Sequence, residues 1–225
     1  ADPQESGNPP VEAKAQVPEA KWTAHIVNRF IEEATRVLSR EPDGNTVLLR
    51  GFALHPDLPS FYQKYKLEAA GIAVYPMYRG IARLVGMEIL PTGESIEEEV
   101  ETLKENFEKY SFFFLHIKKT DSYGEDGNID KKRKVIENVD KVLPMITELG
   151  FDVICVTGDH STPALFKAHS WHDVPVLING KYAFPDDGRR FTERECIKGI
   201  LGHFKAKNLL TLLLANAHKL AKFGA

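Results

Sequence analysis

Apolar residues recur at helical spacing between Ala20 and Ser39. Ile26, Val27, Phe30, Ile31, Ala34, Val37 and Leu38 fall on one stripe, which predicts an amphipathic helix. Pro42-Asp43-Gly44-Asn45 ends that pattern. The chain then turns to short apolar runs with no polar interruption, the signature of buried strands. These are Thr46–Leu49, Gly71–Tyr75, the Phe-rich Ser111–Ile117, Asp152–Val156 and Val174–Ile178. Pro175 inside the last run removes a ladder donor and predicts an edge or irregular strand. Helical patterns separate the runs at roughly 59–66, 77–86, 95–110, 131–149 and 192–202, and a C-terminal helix is expected at about 207–221. Strands alternating with helices predict an α/β fold built on a mostly parallel sheet. Pro3, Pro9, Pro10 and Pro18 mark residues 1–19 as a linker or loop, leaving 20–225 as the folded region.

Composition adds boundaries rather than content. The chain has 225 residues, 43% of them hydrophobic and 27% charged, as in an ordinary globular protein. A net charge of -3 does not suit a nucleic-acid partner. With no secretory signal and no apolar run of about 18 residues, neither a membrane partner nor export is expected, and a cytoplasmic location is. Cys155 and Cys196 imply no disulfide framework.

In sheets of this kind, functional loops gather beyond the carboxyl ends of the strands. Four polar segments are expected there: Arg50-Gly51, a loop from Lys118 to Asn128, Thr157 to Pro163, and Ala168-His169-Ser170. Asp159 and His160 place a carboxylate beside an imidazole, a donor pair suited to zinc or manganese, and His169 is positioned to return to the same centre. Asp121 with Glu125 or Asp126 offers carboxylates for a second ion. Two such ions could clamp a transferring phosphoryl group. Arg50, directly after an apolar run, could meet a phosphate or carboxylate with two prongs. Taken alone, each segment also reads as a solvated turn or a surface ion pair. The other histidines, His116 among them, read as structural or surface groups.

Thr157-Gly158-Asp159-His160-Ser161-Thr162-Pro163, followed by His169-Ser170 and Val174-Pro175-Val176, resembles the metal-binding stretch of archaeal-type, cofactor-independent phosphoglycerate mutases of the alkaline phosphatase superfamily. Leu48-Leu49-Arg50-Gly51, Gly80-Ile81-Ala82-Arg83, His116-Ile117-Lys118, Asp126-Gly127-Asn128 and Phe191-Thr192-Glu193 extend the likeness along nearly the whole chain. The resemblance implies an alkaline-phosphatase-like core that is incomplete without an N-terminal half of the same protein, which carries a nucleophilic serine. It implies phosphoryl transfer between the 3- and 2-positions of phosphoglycerate in glycolysis, with a phosphoglycerate-like small molecule as ligand. Two divalent ions (manganese, magnesium or zinc) would hold the complete site. Asp159 and His160 would bind one and Asp121 and His169 the other, while Arg50 and Lys118 would contact substrate. The chain departs from the pattern where Glu125 replaces a metal-binding histidine and Glu68 a lysine. These departures leave open a non-catalytic binding or structural protein, or a related metal-dependent phosphatase.

Overall fold

The computed structural model describes residues 11–49 and 51–220. The chain divides into two compact units, one ending at Asp57 and one starting at Leu58. The first contains helix α1 (Lys21–Leu38), entered through a short 3-10 turn at Pro18–Ala20. The Asn28 side chain bonds both backbone groups of Ala13 at 2.8 and 3.1 Å, pinning the segment ahead of the helix. The apolar run at 46–49 does not form a strand. Such a run needs a neighbouring ladder, and none pairs with it among the described residues. Arg50 lies outside the described residues.

The second unit is an α/β assembly around a three-stranded parallel sheet ordered β2-β1-β3: β1 (Ala69–Ala73), β2 (Glu88–Ile89) and β3 (Phe112–His116). Every residue of the central strand β1 is buried. Its small side chains explain how. A Cβ on Gly71 would come within 3.2 Å of the Ala82 Cβ, so helix α3 (Pro76–Leu84) sits almost on the backbone. On the opposite face, Ala70 and Ile72 pack with Leu90 and with Leu103 of helix α4 (Ile96–Asn106), joined by Phe113, Leu115 and Phe151. The short helix α2 (Phe61–Tyr65) and α4 each begin with a capping box, Ser60/Gln63 and Ser95/Glu98, which satisfies amide groups that the first turn leaves free.

After β3 come α5 (Lys119–Glu125) and α6 (Ile129–Thr147), then β4 (Val153–Thr157) and β5 (Val176–Gly180). β4 and β5 pair antiparallel in a sheet of their own, so the parallel arrangement holds for β1–β3 only. β5 starts directly after Pro175, where the missing N–H costs no ladder bond. The expected helix at 192–202 contracts to α7 (Glu193–Cys196), and α8 (Leu209–Asn216) follows. No helix among the described residues is long and apolar enough to cross a membrane. Cys155 and Cys196 are both free, and burial pushes the Cys155 thiol up to about 11, which keeps it protonated and inert.

Glu99 on α4 is 3% exposed, and its Oε1 has no hydrogen-bond partner among the described residues. Burial raises its carboxyl to about 7, only partly offset by Lys119 and the Val74 backbone N–H. The folded state therefore favours the neutral acid. Stability is retained below the unfolded value and lost as pH climbs through the folded one. Wild type should lose stability between about pH 4.5 and 7 relative to Glu99→Gln, which cannot ionise. Urea midpoints for the two proteins across that range check this, and parallel curves would contradict it.

Candidate metal centre

The carboxyl ends of β3 and β4 supply the site. Asp121 lies in the first turn of α5, just beyond β3. Residues 118–128, expected as a loop, are mostly helical because α5 docks on the 160s loop. Buried Gly124 lies so close to the Thr162 carbonyl that a Cβ would meet it at 2.4 Å. Lys132 of α6 donates to the same carbonyl at 2.8 Å. Asp159 and His160 follow β4, and an isolated antiparallel bridge, Ser170 N to Ser161 O at 2.9 Å, folds His169 back beside His160. The two imidazole rings stand 3.9 Å apart between centroids.

Asp121 is the hub. Its Oδ1 lies 3.6 Å from His169 Nε2 and 3.8 Å from His160 Nδ1. Glu125 Oε1 is 3.5 Å from His169 Nε2, and Asp159 Oδ2 is 3.3 Å from His160 Nε2. All five residues expected as ligands thus gather in one place. Burial works against ionisation of Asp121, but bonds from Lys118 and Thr162 and the field of His160 outweigh it, so the carboxyl lies below its ordinary range. Asp159 is likewise lowered, because a bond from Tyr78 and the charge of His160 overcome its burial. Both are ionised at neutral pH. Lys118, expected to contact substrate, donates to Asp121 and lies over the Tyr75 ring.

Thr162 sets the imidazole. Its hydroxyl has one proton and donates it to the ionised Asp121 carboxylate at 2.5 Å. Its oxygen must then accept from His160 Nδ1, 3.0 Å away. With the Nδ1 proton held there, the Nε2 lone pair of the neutral ring is the one left for a metal.

Tyr78 and His116 also belong to this neighbourhood, and sequence reasoning missed both. Tyr78 of α3 donates to Asp159 and stacks on His116 at 3.5 Å between centroids. Burial, and after it the bond to Asp159, raises the Tyr78 phenol far above its ordinary value, so it acts as a donor only. Burial lowers His116, partly offset by Asp159, and its Nδ1 has no hydrogen-bond partner among the described residues. The one available signal was the place of His116 at the carboxyl end of β3. Tyr78 sits on an amphipathic helix, where an aromatic reads as core.

Asp121, His160 and His169 can each offer one ligand atom, all within 4.8 Å of one another. Three carboxylates against one ammonium make the pocket electronegative. One oxygen and two nitrogen donors suit a divalent zinc or manganese ion. The donor set fits such an ion.

Residues 23–216 match the family described as the metalloenzyme superfamily. The chain belongs to that superfamily. Over its whole length it is 52% identical to a probable 2,3-bisphosphoglycerate-independent phosphoglycerate mutase of Thermotoga maritima and 50% identical to that of Aquifex aeolicus. It covers 56% and 55% of those proteins, so it spans a little over half the length of the curated relatives it matches. Among solved structures, the PH0037 protein from Pyrococcus horikoshii superposes with a TM-score of 0.83 at 31% identity, over 92% of this chain and 60% of that one. The cofactor-independent phosphoglycerate mutase from Thermoplasma acidophilum superposes with a TM-score of 0.60 at 26% identity, over 96% and 57%. The chain is therefore a partial counterpart of these longer proteins.

Proposed function

We propose that this chain is the metal-holding portion of a cofactor-independent phosphoglycerate mutase, which moves a phosphoryl group between the 3- and 2-positions of phosphoglycerate. The observation that carries the reading is the convergence of Asp121, His160 and His169, flanked by Asp159 and Glu125, beyond two strand ends. Glu125 flanks this set beside His169, and Asp159 flanks it beside His160. A bound divalent ion would supply electrostatic stabilisation of the transferring phosphoryl oxygens. The protein's own task is to fix the donors: Thr162 holds the His160 tautomer, Lys118 balances the charge of Asp121, and Tyr78 orients Asp159. Glu68, whose negative charge could repel an anionic substrate, sits at the amino end of β1, where its carbonyl accepts from Ser111 and Phe112. That is the end of the strand away from the donor cluster, so this departure does not weigh against the reading.

The test is a coupled assay on two samples. The 225-residue chain alone should not interconvert the two phosphoglycerates, because a phosphoryl-accepting nucleophile comes from the remainder of the protein. The chain joined to the unmatched portion of the Thermotoga maritima relative should do so in the presence of manganese. Release of inorganic phosphate without isomerisation would point to a phosphatase. No reaction with either outcome, in a folded and metal-loaded protein, would sink the enzymatic reading.

Glu125 offers a finer test, since its carboxylate approaches His169 rather than pointing away. Carboxylate oxygens suit magnesium and manganese, whereas imidazole suits zinc. Glu125→His should therefore raise zinc affinity relative to manganese, by roughly the 10–100-fold typical of changes around a metal. Competition titration of the two variants reads the ratio, and an unchanged ratio would place Glu125 outside the donor set.

A further inference from the structure

Three segments meet at the Thr162 carbonyl. Thr162 is buried, and its carbonyl accepts no backbone amide among the described residues. The bond it does accept comes from the Lys132 ammonium of α6 at 2.8 Å. α5 closes over the same pair, since a Cβ on Gly124 would meet the carbonyl at 2.4 Å and the ammonium at 3.1 Å. Lys132 is half-buried, and burial pushes its ammonium below the ordinary value although Asp121 and Glu193 favour the charge. An apolar side chain would fill this place without that cost, so the ammonium has a task beyond packing.

The side chain of the same residue reaches the donor cluster. The Thr162 hydroxyl donates to Asp121 Oδ1 at 2.5 Å and accepts from His160 Nδ1 at 3.0 Å. A second acceptor competes for the imidazole proton. Asp159 Oδ2, 3.3 Å from His160 Nε2, would hold it on the nitrogen that a metal needs. A neutral imidazole carries one ring proton, so the place of the Thr162 hydroxyl decides between the two. Thr162 lies outside any helix or strand, and the bond from Lys132 is what fastens its carbonyl to α6.

We infer that Lys132 is a positioning residue of this centre, acting through Thr162 to keep the His160 proton on Nδ1 and the Nε2 atom open to a metal. The inference rests on the reading of Asp121, His160 and His169 as metal donors, and adds to them a residue that bonds none of the three. Partners behind the ligands set ring orientation and tautomer in this way, and their loss weakens metal binding without removing a ligand.

Lys132→Met, which keeps most of the stem and removes the donor, tests it with two readouts. One is zinc affinity, by competition with a chelating dye. The other is nitrogen NMR of the His160 ring in the metal-free protein at about pH 8, where imidazoles are ordinarily neutral. Wild type should carry the ring proton on Nδ1. The variant should move it towards Nε2 and bind zinc roughly 10–100-fold more weakly. Lower stability with either readout unchanged would make Lys132 a structural tether and overturn the inference. So would a wild type whose proton already sits on Nε2. Should the methionine variant not fold, Lys132→Gln, whose amide ends short of the carbonyl, takes its place under the same criteria. A wild type that takes up no zinc would remove the reading of the site, while the ring-proton comparison alone then decides the role of Lys132.

Discussion

Asp121→Ala should abolish the stabilisation that divalent ions confer on this protein. Asp121 is the residue that approaches both imidazoles, and it is ionised in the folded state. An ion that binds only the native form, at 100-fold its Kd, adds about 2.7 kcal/mol, which for a domain of this size is a rise of roughly 5–10 °C in Tm. Wild type should show a shift of that order with manganese or zinc, and the variant none. The substitution also strips partners from Lys118 and Thr162, so the variant will start from lower stability. The decisive quantity is accordingly the ion-dependent shift within each protein, read by thermal unfolding with and without metal. A variant that keeps the full shift would remove Asp121 from the donor set.

Gly124→Ala is the second large effect, and two opposing terms decide its sign. Alanine is favoured over glycine inside a helix by about 0.8–1.0 kcal/mol, which alone predicts stabilisation of α5. The added Cβ, however, would lie 2.4 Å from the Thr162 carbonyl and 3.1 Å from Lys132 Nζ. Backbone cannot yield there without moving the whole loop. Overpacking of this kind costs about 1–3 kcal/mol, and a broken Lys132–Thr162 bond would leave a buried carbonyl unsatisfied at a further ~1–3 kcal/mol. The penalty wins: the variant should be less stable by roughly 1–4 kcal/mol in urea unfolding. It should also bind metal more weakly, since Thr162 holds Asp121 and His160 in place. Unchanged or increased stability would mean that α5 does not dock on the loop as described.

The strands were legible where the apolar pattern had physical company. β1, β3 and β4 lie within about two residues of their expected positions, because uninterrupted apolar runs must be buried and paired. The same rule over-read residues 46–49, which have the composition but no neighbouring ladder. α5 escaped for the opposite reason. Lys119-Thr120-Asp121-Ser122-Tyr123-Gly124-Glu125 has no apolar stripe, and its helix rests on tertiary docking at Gly124 rather than on propensity. The pairing of β4 with β5 alone was equally invisible, since periodicity carries no information about which strands meet. In the site, Asp159, His160 and His169 stood out because they share one short, polar stretch. The contact from Tyr78 to Asp159 spans 81 positions, and that from Thr162 to Asp121 spans 41. Neither separation leaves a signal in the sequence, so only the folded chain connects these residues to the centre.

The central claim is that Asp121, His160 and His169 together hold one divalent ion. Zinc-edge X-ray absorption on the zinc-loaded chain tests it directly. Two imidazole nitrogens at about 2.0–2.1 Å plus an oxygen shell are expected, with one imidazole lost in His160→Ala and one in His169→Ala. An all-oxygen shell, or a spectrum that neither substitution changes, would contradict it.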